Sequence, residues 1–389
     1  MADYTPNPLH EDIRKAVREM MEPFDDQYWM EHDVDHAFPW EFYNAVAKAG
    51  WLGITIPEEY GGGGLGVTEA SIVEYEISAS GGGMNACSAV HIGIFGFDPI
   101  IRHGSEQLKQ RFLPRVPTGD LHISFAVTEP DAGTDTTRIT TFARKVSDTY
   151  VVNGRKLWIS RAEHSDLMVL LCRTAPRDEA KTSAGMSVLL VDMREAVGKG
   201  LTITPVRTML NHATTELLFE DLEVPAENLI GEEGKGFKYI LDGLNAERVL
   251  IAAECIGDGY WFVNRAAKYA SERKVFDRPI GKNQGVAHPL AESWMELEAA
   301  NLMTFHAAAK FDQGEPCGAE ANAAKYLAAE AGFKACTTAV MTHGGYGYAK
   351  EYHVERYLRE ALIPRIAPVS PQMILNFIAE RVLGLPKSY

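Results

Sequence analysis

The chain has no surplus of positive charge. Its 38 lysines and arginines are outnumbered by 53 acids, and a net charge of −15 repels phosphate backbones and anionic bilayers alike, so nucleic acid and membrane are excluded as natural partners. It also lacks the cysteine spacing of a zinc ribbon or a disulfide scaffold. Cys87, Cys172, Cys255, Cys317 and Cys336 are scattered with no C-x-x-C pair, as expected of buried thiols in a reducing compartment, and no metal site is expected. The opening Met1-Ala-Asp-Tyr-Thr-Pro-Asn-Pro8 has neither a basic nor an apolar leader region, and no apolar run reads as long enough to span a bilayer. A soluble, cytoplasmic protein is expected. There is no internal repeat or low-complexity tract, and no alternation of strand and helix of the kind that builds a Rossmann sheet.

Apolar material is ample. With 389 residues, 46% of them hydrophobic, the chain exceeds what one core supports, and two or three packed units follow. In 1–119 the pattern is helical: Ile13, Val17, Met20 and Met21 recur at helical spacing, and Trp40, Phe42, Val46 and Trp51 form a second stripe. In 120–234 it changes to short β-type runs divided by Gly, Asn and Pro turns: Tyr150-Val-Val, Leu167 to Cys172, Met186 to Val191, Leu201-Thr-Ile-Thr and Glu216-Leu-Leu-Phe. In 235–389 long amphipathic stretches rich in Ala, Leu, Glu and Lys return. The fold class is therefore α+β, with a helical N-terminal domain, a middle β-barrel-like domain and a C-terminal helical bundle.

Gly61-Gly-Gly-Gly-Leu-Gly66 satisfies G-x-G-x-x-G after a possible short strand, Gly53-Ile-Thr-Ile56. Pro57 and Glu58-Glu59 intervene, which spoils the tight strand-turn-helix geometry of a dinucleotide site. The segment reads as a mobile loop.

Two stretches carry more. Phe125-Ala-Val-Thr-Glu-Pro-Asp-Ala-Gly-Thr-Asp135 places a turn after a β-type run, and Asn153-Gly-Arg-Lys-Leu-Trp-Ile-Ser160 enters through an Asn-Gly hairpin signal. As paired strands they would present hydroxyls, backbone amides and one Trp, a surface suited to a planar heteroaromatic ring. With Phe219-Glu-Asp-Leu-Glu-Val-Pro-Ala-Glu-Asn228, Glu272-Arg-Lys-Val-Phe276 and His343-Gly-Gly-Tyr-Gly347, they make nearly the whole chain resemble the acyl-CoA dehydrogenase family. The resemblance implies FAD as cofactor. It puts Phe125, Val127 and Thr128 along the flavin ring, Thr134 at the pyrophosphate and Trp158 with Ser160 on the ring's other side, and counts Gly133 and Ile159 among the cofactor contacts. It also sends Arg273 to the pyrophosphate of a neighbouring subunit's FAD, with Phe276 and Gln284 nearby, and adds Gly344, Gly345, Ser370 and Gln372 to the cofactor contacts. Guanidinium suits a bidentate phosphate contact. A site shared between subunits implies a homo-oligomer, expected as a tetramer. Taken singly, each residue has a plain alternative: a core Trp, a β-forming Thr, a solvated helix-end Arg.

The resemblance also sets a demand for a base. An acyl-CoA α-proton is weakly acidic, so its removal needs a carboxylate in a desolvated slot, while the flavin takes the β-hydride and an electron-transferring flavoprotein takes the electrons onward. The family's commoner glutamate, matched without gaps from Val354-Glu-Arg-Tyr-Leu-Arg-Glu360 onward, lands on Pro368. Its rarer position, that of isovaleryl-type and long-chain-type members, lands on Glu247 in Leu244-Asn-Ala-Glu-Arg-Val-Leu250. Against this stands an acid in a first helical turn, serving only the macrodipole. Glu254, two turns on and about 10 Å away, ranks below. Arg248 is expected near the CoA moiety or orienting the base, with a surface ion pair as the alternative. Pro368 lacks the backbone N–H that typical members give to the thioester carbonyl, so Val369, a water or the ribityl hydroxyl alone must stabilise the oxyanion. Arg161 stands where relatives have a small polar residue; a cation there would raise the flavin's potential unless it points to solvent. The rival functions are a flavin monooxygenase or oxidase of the same fold, and a non-catalytic flavin or acyl-carrier binding protein.

Overall fold

In the computed structural model, residues 7–388 are described; the reading of the first six residues as free of a leader lies outside them. The chain divides into two compact units.

One unit gathers residues 7–42, Gly66–Ser88 and 245–388. Among its helices are α1 (Pro8–Met21), α2 (Val67–Ile77), the part of α3 (Gly236–Glu272) from Asn245 on, α4 (Gln284–Asp312), α5 (Gly318–His343), α6 (Val354–Glu360) and α7 (Pro371–Phe377). Asn7 caps α1 by accepting from the Leu9 N–H, and Ile13, Val17 and Met21 form its buried stripe. Helix α5 turns a row of alanines inward, Ala321, Ala324, Ala328, Ala331, Ala335 and Ala339, all buried, and such short side chains let helix axes approach closely. A Cβ on Gly332 would lie 2.8 Å from the Cys255 carbonyl oxygen, and one on Gly259 would lie 2.2 Å from Leu297. The α3 and α5 backbones therefore meet at a distance that glycine alone permits, and Gly259 on α3 makes room for the Leu297 side chain of α4. The five cysteines are free and buried.

The other unit comprises Tyr43–Leu65 and Ala89–Leu244. Eight strands, β1 (Ile123–Ala126), β2 (Phe142–Val146), β3 (Thr149–Ser160), β4 (Leu167–Arg173), β5 (Met186–Asp192), β6 (Leu201–Pro205), β7 (Thr214–Pro225) and β8 (Leu229–Ile230), form one sheet in the order β6-β7-β3-β2-β4-β5-β8, with β1 parallel to β4. Strands β4 and β5 are buried on both faces, as continuous apolar runs dictate. Leu167, Val169 and Leu171 face a core with Phe97, Ile100 and Phe112, whereas Met168, Leu170 and Cys172 face Tyr150, Val152, Leu217 and Phe219. The sheet thus curls until its two halves share an interior, which is the barrel-like form expected.

Several expectations need correction. Asn153-Gly154 is not a hairpin turn: the β2–β3 turn is Ser147-Asp148, and Asn153-Gly154 sits inside β3 at a register shift against β7. Gly154 is required there by its φ of 147° and by Thr141, whose Cα would lie 2.6 Å from a Cβ. Gly53–Ile56 is turn and 3-10 helix rather than strand, and Gly61–Leu65 folds back onto it through Gly62, Gly63, Gly64 and Leu65 N–H groups bonded to Pro57, Gly53, Ile56 and Ile54 carbonyls. The glycine run is a bonded hairpin, not a free loop. Finally, the stretch Val67–His103 is long and apolar enough to cross a membrane by length and composition, but 78% of its apolar window is buried within the protein, as in a core helix. In the second aromatic stripe Trp40 also turns outward, at 43% exposure.

Candidate functional site

In the sheet unit, the residues from Phe125 to Thr134 and from Trp158 to Ser160 form one surface. Phe125, half-buried on β1, packs its ring 5.4 Å from that of Phe95. Beyond β1 the chain pairs with β3 rather than running free: the Leu157 N–H donates to the Thr128 carbonyl at 3.0 Å, and the Thr128 hydroxyl donates to the Leu157 carbonyl. With its proton engaged, that hydroxyl offers a cofactor an acceptor. Gly133 and Thr134 are exposed on the following turn. Beneath them lies a pair to which sequence reasoning gave no role. Lys156, fully buried, donates to the Val127 carbonyl at 2.7 Å and to Glu129 Oε1 at 3.0 Å. Glu129 also accepts from the Thr140 N–H, the Thr140 hydroxyl and the Thr141 N–H. Burial works to raise the Glu129 carboxyl, yet Lys156 and these donors hold it below the usual range. The pair ties the turn to β3.

Trp158 lies at a second register shift in β3, with a φ of 65° and 59% of its surface exposed. Ile159 turns into the core, and Ser160 Oγ lies 2.8 Å from His212 Nε2. His212 Nδ1 is buried with no hydrogen-bond partner among the described residues. Burial, with Arg161 and His91 adding to it, pushes the His212 imidazole down to about 3, so it is neutral. Arg161 is 4% exposed and does not reach solvent. Burial lowers it to about 9, which leaves it charged at neutral pH. Nothing in the sequence marked His212, which lies 52 residues from Ser160.

In the helical unit, Glu247 and Arg248 are half-buried on α3. Glu247 is not in a first turn: α3 begins at Gly236, so the macrodipole reading loses its basis. Arg248 is no surface ion pair either. Its Nη1 donates to Asn245 Oδ1 at 2.7 Å, and burial lowers its pKa, with Glu247 opposing. Glu254 is fully buried on the same helix. A second cation enters from α5. Lys325, 1% exposed, donates from Nζ to the Val369 carbonyl at 2.8 Å; burial pushes it down to about 8, while Cys255 and Glu247 favour its charged form and Arg248 opposes it. Pro368 is half-buried beside Val369, the Ser370 hydroxyl caps α7 by accepting from the Met373 N–H at 3.4 Å, and Gln372 is exposed.

Arg273 lies apart from Glu247 in the sequence but joins the glycine motif. A cavity of about 560 Å³ is lined by Tyr269, Arg273, Val275, Ile280 and Thr342 to Tyr346, so Arg273, Gly344 and Gly345 come together. Arg273 holds its guanidinium 5.6 Å from the Tyr346 ring centre, and Gly344 ends α5 with a φ of 59°. Phe276, 93% exposed, stands with Asp277 at the tip of a hairpin between β9 (Lys274–Val275) and β10 (Arg278–Pro279), both tip residues having positive φ. Gln284 is exposed at the start of α4.

The acyl-CoA dehydrogenase N-terminal, middle and C-terminal domain models match residues 7–120, 124–222 and 234–383. An acyl-CoA dehydrogenase of Mycobacterium tuberculosis, FadE12, is 38% identical over 379 residues, 97% of this chain and 96% of its own. The butyryl-CoA dehydrogenase of Megasphaera elsdenii superposes with a TM-score of 0.92 at 29% identity, covering 98% of this chain and 100% of that one. A chain solved with the electron transferring flavoprotein of Acidaminococcus fermentans as its subject gives 0.90 at 32% identity, covering 98% and 99%. The chain belongs to the acyl-CoA dehydrogenase family, a family of oxidoreductases, and its cofactor is FAD. The residues of the sheet unit fit that group: an exposed Trp158, an acceptor hydroxyl on Thr128 and the buried, unpartnered His212 Nδ1 match a flat ring edged with both donors and acceptors.

Arg161, buried next to Ser160, would bear on the electron affinity of a ring laid against that segment. Reduced flavin carries negative charge, which a nearby buried cation stabilises. Arg161→Gln is expected to make two-electron reduction at least about tenfold less favourable, which is about 30 mV. Equilibrium dye titration of the FAD-loaded variant reads this, and an unchanged potential would show that the guanidinium does not act on the ring.

Proposed function

We propose that the protein introduces an α,β double bond into an acyl-CoA thioester, with Glu247 as the base. The observation that carries this reading is the setting of Glu247: a half-buried carboxylate sharing its surroundings with the cations Arg248 and Lys325, on a chain whose Pro368 offers no carboxylate at the other position. Two cations favour the charged form that can accept a proton, and partial desolvation strengthens it as a base. FAD supplies the two-electron acceptance. Phe125, Val127, Thr128, Trp158 and Ser160, with the backbone of Ile159, hold its ring, Gly133 and Thr134 meet its pyrophosphate, and Ser370 and Gln372 add polar contacts. Arg248 orients the base or meets the CoA moiety. The acceptor is an electron-transferring flavoprotein, the setting is fatty-acid β-oxidation in the cytoplasm, and the three segments 1–119, 120–234 and 235–389 act as domains. The test is anaerobic bleaching of the bound flavin across a panel of acyl-CoAs. No bleaching with any of them would sink the reading, and rapid reaction of the free reduced flavin with oxygen would favour the oxidase alternative.

We further propose a homotetramer in which Arg273, Phe276, Gln284, Gly344 and Gly345 contact FAD of a neighbouring subunit. The cavity joining Arg273 to the two glycines supports this. Arg273→Ala should weaken FAD retention and oligomer integrity together, read by flavin absorbance and light scattering on one preparation. A variant that keeps both would place Arg273 outside the cofactor contacts.

A further inference from the structure

The proline at 368 removes a donor from the site, and the structure shows where another stands. Among the described residues the Val369 N–H has no hydrogen-bond partner, while its carbonyl is held by Lys325. Lys325 comes from the interior of α5, 44 residues away, with a side chain that is almost wholly buried. Of its three N–H donors one is engaged by Val369; the other two have no partner among the described residues. Burying a lysine to hold a single loop carbonyl is costly. A surface-loop staple would not require it.

We infer that Lys325 is a positioning residue that fixes the Pro368-Val369 segment so that the Val369 N–H, in place of the one proline lacks, donates to the thioester carbonyl. The inference rests on the dehydrogenase reading and deepens it. When the base removes the α-proton, the electron pair of the C–H bond moves toward the carbonyl oxygen, and a fixed N–H stabilises the charge that gathers there. A peptide plane is rigid, so the bond from Lys325 to the Val369 carbonyl restrains the 369–370 peptide, and through the Val369 backbone the direction of its N–H. The charge of Lys325 acts on the same event, since its ammonium interacts favourably with Glu247.

The test uses the FAD-loaded protein and straight-chain acyl-CoAs. Lys325→Met should slow anaerobic flavin reduction by about 10²–10³, the usual cost of one oxyanion donor, with FAD content unchanged. Pro368→Gly restores an N–H one residue earlier. It should recover at least about tenfold in the Lys325→Met background. A second readout is the acidity of a bound 3-thia-acyl-CoA, followed through its absorbance band with oxidised flavin: Lys325→Met should raise the pH at which that ligand loses its α-proton. Should Lys325→Met fail to fold, Lys325→Leu, which also removes the donor, carries the same comparison. A wild-type rate in either variant would overturn the inference. So would a slow variant that Pro368→Gly does not rescue and whose ligand acidity is unchanged, because Lys325 would then be structural only. A wild-type flavin that no acyl-CoA reduces would overturn the dehydrogenase reading and this inference with it.

Discussion

Glu247→Gln is expected to retain FAD and fold while losing flavin reduction by acyl-CoA by about 10²–10⁴ or more, the range that a positioned general base contributes. The amide is nearly isosteric and cannot take a proton. Arg248 would keep its bond to Asn245, so the helix is undisturbed. The loss should fall on the reduction rate constant rather than on ligand affinity, because the interaction removed is made only as the proton moves. Stopped-flow reduction under anaerobic conditions separates the two. A variant that reduces at near wild-type rate would transfer the role to Glu254 or to a carboxylate not yet recognised.

Lys156→Met is expected to destabilise the protein by about 3–5 kcal/mol, the cost of leaving a buried charge without its partner. The orphan would be Glu129, 5% exposed and already bonded to Thr140 and Thr141. Glu129→Gln combined with Lys156→Met should recover much of the loss, since no charge then stays buried alone. Chemical denaturation of the three variants decides it; additive losses would show that the pair is not coupled. The sign of the acid response follows from the same contacts. The Glu129 pKa is depressed in the folded state, so its contribution is present above the ordinary carboxylate pKa and is lost as the pH falls through the folded value.

Periodicity made most of the fold legible. The α1 stripe and the β4 and β5 runs could be read directly, because helical spacing and continuous apolar runs report burial locally. Asn153-Gly154 misled for a physical reason: glycine serves a close approach to Thr141 as well as it serves a turn, and sequence does not tell the two apart. Resemblance singled out Glu247 as the candidate base, but its place well inside α3 was hidden because no cap signal marked the start at Gly236. Lys156, His212 and Lys325 were illegible as site residues. Each meets a partner 27, 52 or 44 residues away, and a single lysine or histidine in a strand, loop or helix carries no local sign of what it will meet.

Trp158 has a consequence for how the protein matures. A large indole with a positive φ, more than half exposed, is a conformation that a β-strand resists. Close by, the Ser160–His212 contact leaves one buried ring nitrogen unanswered. A flat ring laid on this surface would complete a core that the polypeptide leaves unfinished. FAD then belongs to the folding equilibrium as much as to the chemistry: a ligand at a hundredfold excess over its Kd adds about 2.7 kcal/mol to the folded state. The supply of flavin in the cell would set how much of the chain persists, before any acyl-CoA is met.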